Sequence, residues 1–121
     1  MFLFPMIAAA GAATQPLPPA TEADMRCFMA MLYSVGGVDE KEKDKRYGLL
    51  AASSYFVGRL DGQVAEADWT GHIRRIGSQT GFFKGIDAEV ASCALRAGKA
   101  MQFAGTAAQN AAEAEQGRGR Q

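Results

Sequence analysis

Cys27 and Cys93 are the only thiols in the chain, and the chemistry open to them depends on compartment. Oxidising surroundings join them as one disulfide; reducing surroundings leave them as free, buried thiols. No CxxC spacing occurs, so thioredoxin-type exchange has no support. His72, the sole histidine, stands four residues after Asp68. On a helix that spacing lets the carboxylate orient or charge the ring, a pair that could sense mild acid; an ordinary surface pair is the simpler expectation. One imidazole cannot complete a Cys/His metal site once both sulfurs are oxidised. Ser53 and Ser54 have no base beside them in sequence. HExxH, GxSxG, a glycine-rich phosphate loop and an acidic calcium loop are all missing. The expectation is a protein that is not an enzyme, with no catalytic residues, no cofactor and no metal.

Two short stretches offer contacts to a partner instead. The string Tyr55-Phe56-Val57-Gly58-Arg59-Leu60-Asp61-Gly62 ends a helix. It either exposes Arg59 and Asp61 to a partner or serves structure alone, an aromatic helix packing through Gly58 before the chain turns at Asp61-Gly62; structure is the favoured reading. Phe82 and Phe83 lie in a glycine-bounded loop and either tuck under the domain or stay exposed; tucking is favoured, because exposed aromatic rings reduce solubility. Thirteen basic and thirteen acidic residues give no net charge. A global field for nucleic acid or an anionic membrane is therefore absent. Arg74, Arg75 and Lys84 form only a weak local excess, and the run Asp39 to Arg46 mixes signs as a solvated helix face does.

Four helices must position these residues. The first spans about 22–35: Thr21 is a natural N-cap, Met25, Phe28, Leu32 and Val35 form one apolar stripe, and Gly36-Gly37 stops it. The second starts after Asp39, which with Glu42 forms a variant capping box, and runs to about Leu60. Its core side is Tyr47, Leu50, Ala51, Phe56, Val57 and Leu60. Gly48 and Gly58 inside it suggest a close neighbour, since each costs about 1 kcal/mol in helix propensity. The third spans about 65–76, with Trp69, Ile73 and Ile76 inward. The fourth runs from an Asp87 cap to about Ala104. Ile86, Val90, Ala94, Ala97 and Met101 lie along one side, and its Ala/Gly face leaves room for an oligomer of undetermined order.

The ends read differently. Residues 1–13, Met-Phe-Leu-Phe-Pro-Met-Ile followed by small residues, resemble a signal peptide with cleavage after Ala10, Ala12 or Ala13, although no basic residue precedes the apolar core. The run is too short for a bilayer span of about 20 residues. Residues 14–20 are a Pro-rich leader, 21–105 the helical domain, and 106–121 an expected disordered tail without large apolar residues. These features point to a periplasmic or secreted chain with no stable membrane insertion after processing.

The fold class expected is all-α, a compact bundle of about four helices with one disulfide joining the first and last. Closing a loop of roughly 66 residues restricts the unfolded chain by about 4 kcal/mol. With its Tyr55–Gly62 string between two distant cysteines, the chain resembles small exported helical proteins of proteobacteria that carry a YFxGRLDG-like helix end. It also resembles acid-stress periplasmic chaperones of the HdeA/HdeB type and Rap1a-type immunity proteins. The signal-like N-terminus, the small size, the single disulfide and the missing catalytic set together lead to the expectation of a non-enzymatic exported interaction protein with a protein partner, stress-linked or chaperone-like in action. The alternatives are an immunity or inhibitor protein for one exported enzyme, and a helical domain binding a small ligand. The thirteen carboxylates would protonate in strong acid, leaving a self-repelling cation that loosens and exposes Met- and Phe-rich surface.

Overall fold

A computed structural model describes residues 15–119; the expected signal peptide lies outside them. The described residues form an all-α bundle of four helices: α1 Pro19–Gly36, α2 Lys43–Leu60, α3 Glu66–Gly77 and α4 Ile86–Gly119. Among the described residues, no helix is long and apolar enough to cross a membrane.

α1 starts earlier than Thr21. Pro19 takes its first turn, where the ring's preset φ fits and the missing N–H is no loss. Thr21 is buried inside the helix. α1 ends where the two glycines stand, but Gly37 keeps φ −93° and caps through its N–H to Ser34. Asp39 does not cap α2: its Oδ1 accepts from the Lys41 N–H at 3.1 Å, so its oxygen serves a local turn, and α2 starts at Lys43. Gly62 (φ +80°) carries the only left-handed backbone among the described residues. It reverses the chain after α2 so that Val64 tucks beneath, where its carbonyl accepts from Trp69 Nε1 at 3.1 Å. Asp61 and Gly62 thus form the turn that ends α2. Asp87 lies in the first turn of α4 rather than capping it.

α1 is the central helix. On one side Met25 and Ala30 pack with Leu60, Val64, Ile76 and Phe82. On the other Cys27 and Met31 pack with Ala52, Phe56, Cys93 and Ala97. Phe28 touches both clusters. The Cys27–Cys93 disulfide joins α1 to α4 across 66 residues, with Cα atoms 5.4 Å apart. α1 and α4 run antiparallel, because Asp24 meets Arg96 as Cys27 meets Cys93.

Three alternate residues of α1 fan out to the neighbouring elements. Glu22 takes a two-pronged bond from Arg75 of α3, at 2.6 and 2.5 Å. The Asp24 carboxylate, 5 % exposed, accepts from Arg59 of α2 at 2.9 Å and from Arg96 of α4 at 2.6 Å. Arg26 donates to Glu89 of α4 at 3.2 Å and to Gln79 at 2.6 Å. A buried carboxylate is tolerated only when paired and hydrogen-bonded. These bonds fix how each helix sits on α1.

Several inward residues differ from expectation. In α2 the buried side is Ala52, Ser53, Phe56 and Leu60, with Leu49 beside it. Tyr47, Leu50, Ala51 and Val57 face outward. A Cβ at Gly48 or Gly58 would meet nothing within 4 Å, so no helix approaches there. In α4, Cys93 faces the bundle while Ala94 and Met101 are exposed. The helix also continues past Ala104 through the expected disordered tail to Gly119, with every residue from Met101 exposed. Alanine, glutamine and glutamate are strong helix formers, and Gln109–Glu113 and Glu115–Arg118 add contacts one turn apart.

Candidate partner-binding recess

The four residues expected to meet a partner do not come together. Arg59 and Phe82 lie on opposite sides of α1, since Arg59 bonds Asp24 and Phe82 packs under Arg26, two positions on. Two positions on a helix turn a side chain by about 200°. Arg59 is committed to Asp24, a bond that raises its pKa further. Asp61 caps α2 in a shallow recess with Val57, Val64 and Trp69. Of the two phenylalanines one tucks and one does not: Phe82 is buried, its ring 5.2 Å beneath the Arg26 guanidinium, while Phe83 is 48 % exposed.

Phe83 leads to a surface that the α1 stripe conceals. Leu32, expected in the core, is 48 % exposed, and Tyr33 beside it 60 %. The Tyr33 and Phe83 rings touch, with centroids 5.0 Å apart. The cause is architectural. α3 ends at Gly77, and its backbone approaches α1 alone among the helices. It leaves the last turns of α1 covered only in part by the segment 78–85.

Leu32 and Tyr33 stand as a ridge between two recesses. On one side about 770 Å³ opens toward α2 and α4, bounded by Val38, Lys45, Leu49, Ile86 and Val90. On the other side about 320 Å³ lies between α1, α3 and the connecting segment, bounded by Phe28, Met29, Ile73, Gly77, Phe82 and Phe83. The exposed Phe103 and Met101 of α4 border neither recess.

His72 is not a surface partner of Asp68. It is 3 % exposed, and its Nδ1 lies 3.1 Å from Arg75 Nη2. A guanidinium has no acceptor, so Nδ1 accepts. The ring helps hold Arg75 toward Glu22. Glu22 and Asp24 read in the sequence only as acidic residues in the first turn of a helix, near its positive end; their ties to Arg75, Arg59 and Arg96 join residues far apart in the chain, which no local spacing announces.

The Arg75 hydrogen bonds hold the Glu22 carboxyl below its ordinary value, against an opposing push from burial. The same bonds raise Arg75. A carboxyl lowered by folding contributes stability above its unfolded pKa, and that stability is lost as pH falls through the folded value. The tie between α1 and α3 therefore holds at neutral pH and weakens in acid, as pH falls past the ordinary glutamate range toward the lowered folded value. Trp69, the only tryptophan, sits on α3 with its ring edge-on to Phe28 of α1 at 5.3 Å. Its fluorescence is expected to shift in acid before the far-ultraviolet helix signal falls. Glu22→Gln should show the shifted spectrum already at pH 7 and a flatter acid titration; an unchanged titration would remove Glu22 as the acid-labile tie. Comparison of the chain with protein-family models, curated proteins and solved structures finds no match.

Proposed function

We propose that this is a non-enzymatic exported interaction protein, chaperone-like in action, that holds an apolar segment of a partner protein over the Leu32–Tyr33 ridge. One observation carries the reading: three large apolar side chains stand half-exposed together, Leu32 and Tyr33 between the two recesses and Phe83 at the rim of the smaller one. The Cys27–Cys93 bond fits an oxidising compartment, and the signal-like residues 1–13 support a periplasmic or secreted location. The balanced charge supports a protein partner over nucleic acid. The acid-weakened tie between α1 and α3 supports a stress-linked role, since loosening α3 would widen the recess along Met29 and Ile73.

The test is light scattering from an acid-unfolded client enzyme at about pH 3, where carboxylates protonate, with the protein at equimolar ratio. The wild-type chain is expected to suppress client aggregation. Wild type is also expected to protect a heat-unfolded client at neutral pH, and there the triple variant Leu32→Glu, Tyr33→Glu, Phe83→Glu, its new carboxylates charged, is expected to lose most of that protection at unchanged helix content. Absence of wild-type protection, or equal protection by the triple variant, rejects the reading.

A further inference from the structure

The smaller recess has a chemistry of its own. Its volume of about 320 Å³ falls at the low end of small-molecule sites, about 300–1,000 Å³. Its walls are ring and hydrocarbon: Phe28, Met29, Ile73, Phe82 and Phe83. Two of the wall rings are already set edge to face, Phe82 to Phe83 at 5.1 Å and 79°, and a third, Phe28, is held edge-on from outside the recess by Trp69 at 5.3 Å and 81°. That geometry offers ring faces and edges to a further aromatic group, and the Met29 thioether adds a polarisable contact. Among the lining side chains the only polar group is the Tyr33 hydroxyl. A charged or strongly polar guest would give up its bonds to water and find almost none in return.

We infer that this cavity binds a small uncharged aromatic molecule, of the size of one fused ring pair, between α1, α3 and Phe82–Phe83. The inference goes beyond partner binding and does not depend on it. Gly77 supplies the test. It lines the cavity, its φ is not positive, and a Cβ there would meet only the Met29 methyl at 3.8 Å, an ordinary contact. A side chain at this position therefore enters the cavity without backbone strain.

Indole is the probe, titrated into the full oxidised chain carrying ¹³C-labelled methionine methyls. The Met29 methyl is expected to shift saturably. Met25 and Met31, in the closed core, and Met101, on the exposed end of α4, should stay still. Gly77→Leu should weaken binding by at least about tenfold, roughly 1.4 kcal/mol, with Gly77→Ala between it and wild type. The alanine variant guards against a leucine variant that fails to fold, since Ala improves helix propensity there. Indole-3-carboxylate, charged and otherwise alike, should bind far more weakly. The inference is overturned if Met29 does not move up to the solubility of indole, if all methyls drift together without saturation, if Gly77→Ala and Gly77→Leu both leave binding unchanged, or if the carboxylate binds equally well. None of these readouts involves a client protein, so they stand apart from the scattering assay.

Discussion

Reducing the Cys27–Cys93 bond is expected to lower the melting temperature by roughly 15–30 °C. The estimate comes from chain entropy. Releasing a cross-link across 66 residues returns about 4 kcal/mol of freedom to the unfolded state. Small domains hold about 5–15 kcal/mol in all. Both sulfurs lie in the cluster where α1, α2 and α4 meet, so the freed side chains remain buried and the native contacts are largely kept. The double variant Cys27→Ala, Cys93→Ala should therefore melt near the reduced wild type. Circular dichroism melts of oxidised, reduced and variant protein check this. A difference of only a few degrees between oxidised and reduced chains would mean that the unfolded state is already compact, or that packing alone sustains the bundle.

Phe56→Ala is expected to cost a further large amount, about 3–5 kcal/mol. Phe56 is fully buried and packs among Cys27, Met31, Ala52, Cys93 and Ala97. Its ring supports the Arg96 guanidinium at 5.2 Å, and Arg96 reaches Asp24 from there. Truncation opens a cavity against the disulfide and removes the floor under one of the two cations that hold Asp24. The neighbouring Val57→Ala is the control: Val57 faces outward, and such surface changes stay within about 0.5 kcal/mol. Urea titration of the two variants should separate them clearly; similar midpoints would show that the α2 register is wrong. Phe56→Ala and reduction act on one cluster, so their effects should not add.

That contrast between Phe56 and Val57 also shows where sequence reading reached its limit. Four helices, their connections and the Cys27–Cys93 pairing were legible, because stop signals and apolar periodicity are local. The pairing rested on an oxidising compartment inferred from the signal-like N-terminus, with both cysteines bordering apolar stripes. The inward side of α2 was harder. Residues 47–57 carry apolar groups around most of the helix, so two three-four spacings compete, and only contact with α1 selects Leu49, Ala52, Phe56 and Leu60. Gly48 and Gly58 suggested a close neighbour, yet both face open space. For α4, a missing large apolar side chain read as disorder, whereas the propensity of the Ala-rich segment favours helix.

The recess was legible only in part. Phe82 and Phe83 stood out as adjacent rings in a glycine-bounded loop, but which ring would turn inward depends on Arg26 capping one face. Leu32 belongs to a regular stripe with Met25, Phe28 and Val35. Its exposure follows from the shortness of α3, a property of the assembled bundle rather than of α1. The charged fan from Glu22, Asp24 and Arg26 joins residues more than thirty positions apart, which no local spacing announces.

The long α4 has a practical corollary for handling the molecule. Because α1 and α4 are antiparallel, the recess beside Leu32 and Ile86 sits at one end and the exposed turns after Met101 leave from the other. The stretch from Gln102 to Gly119 rises roughly 27 Å at 1.5 Å per residue. A fluorescent fusion, affinity tag or sensor-chip tether attached at the C-terminus should thus stand off on a built-in spacer and leave the opposite pole free for capture experiments.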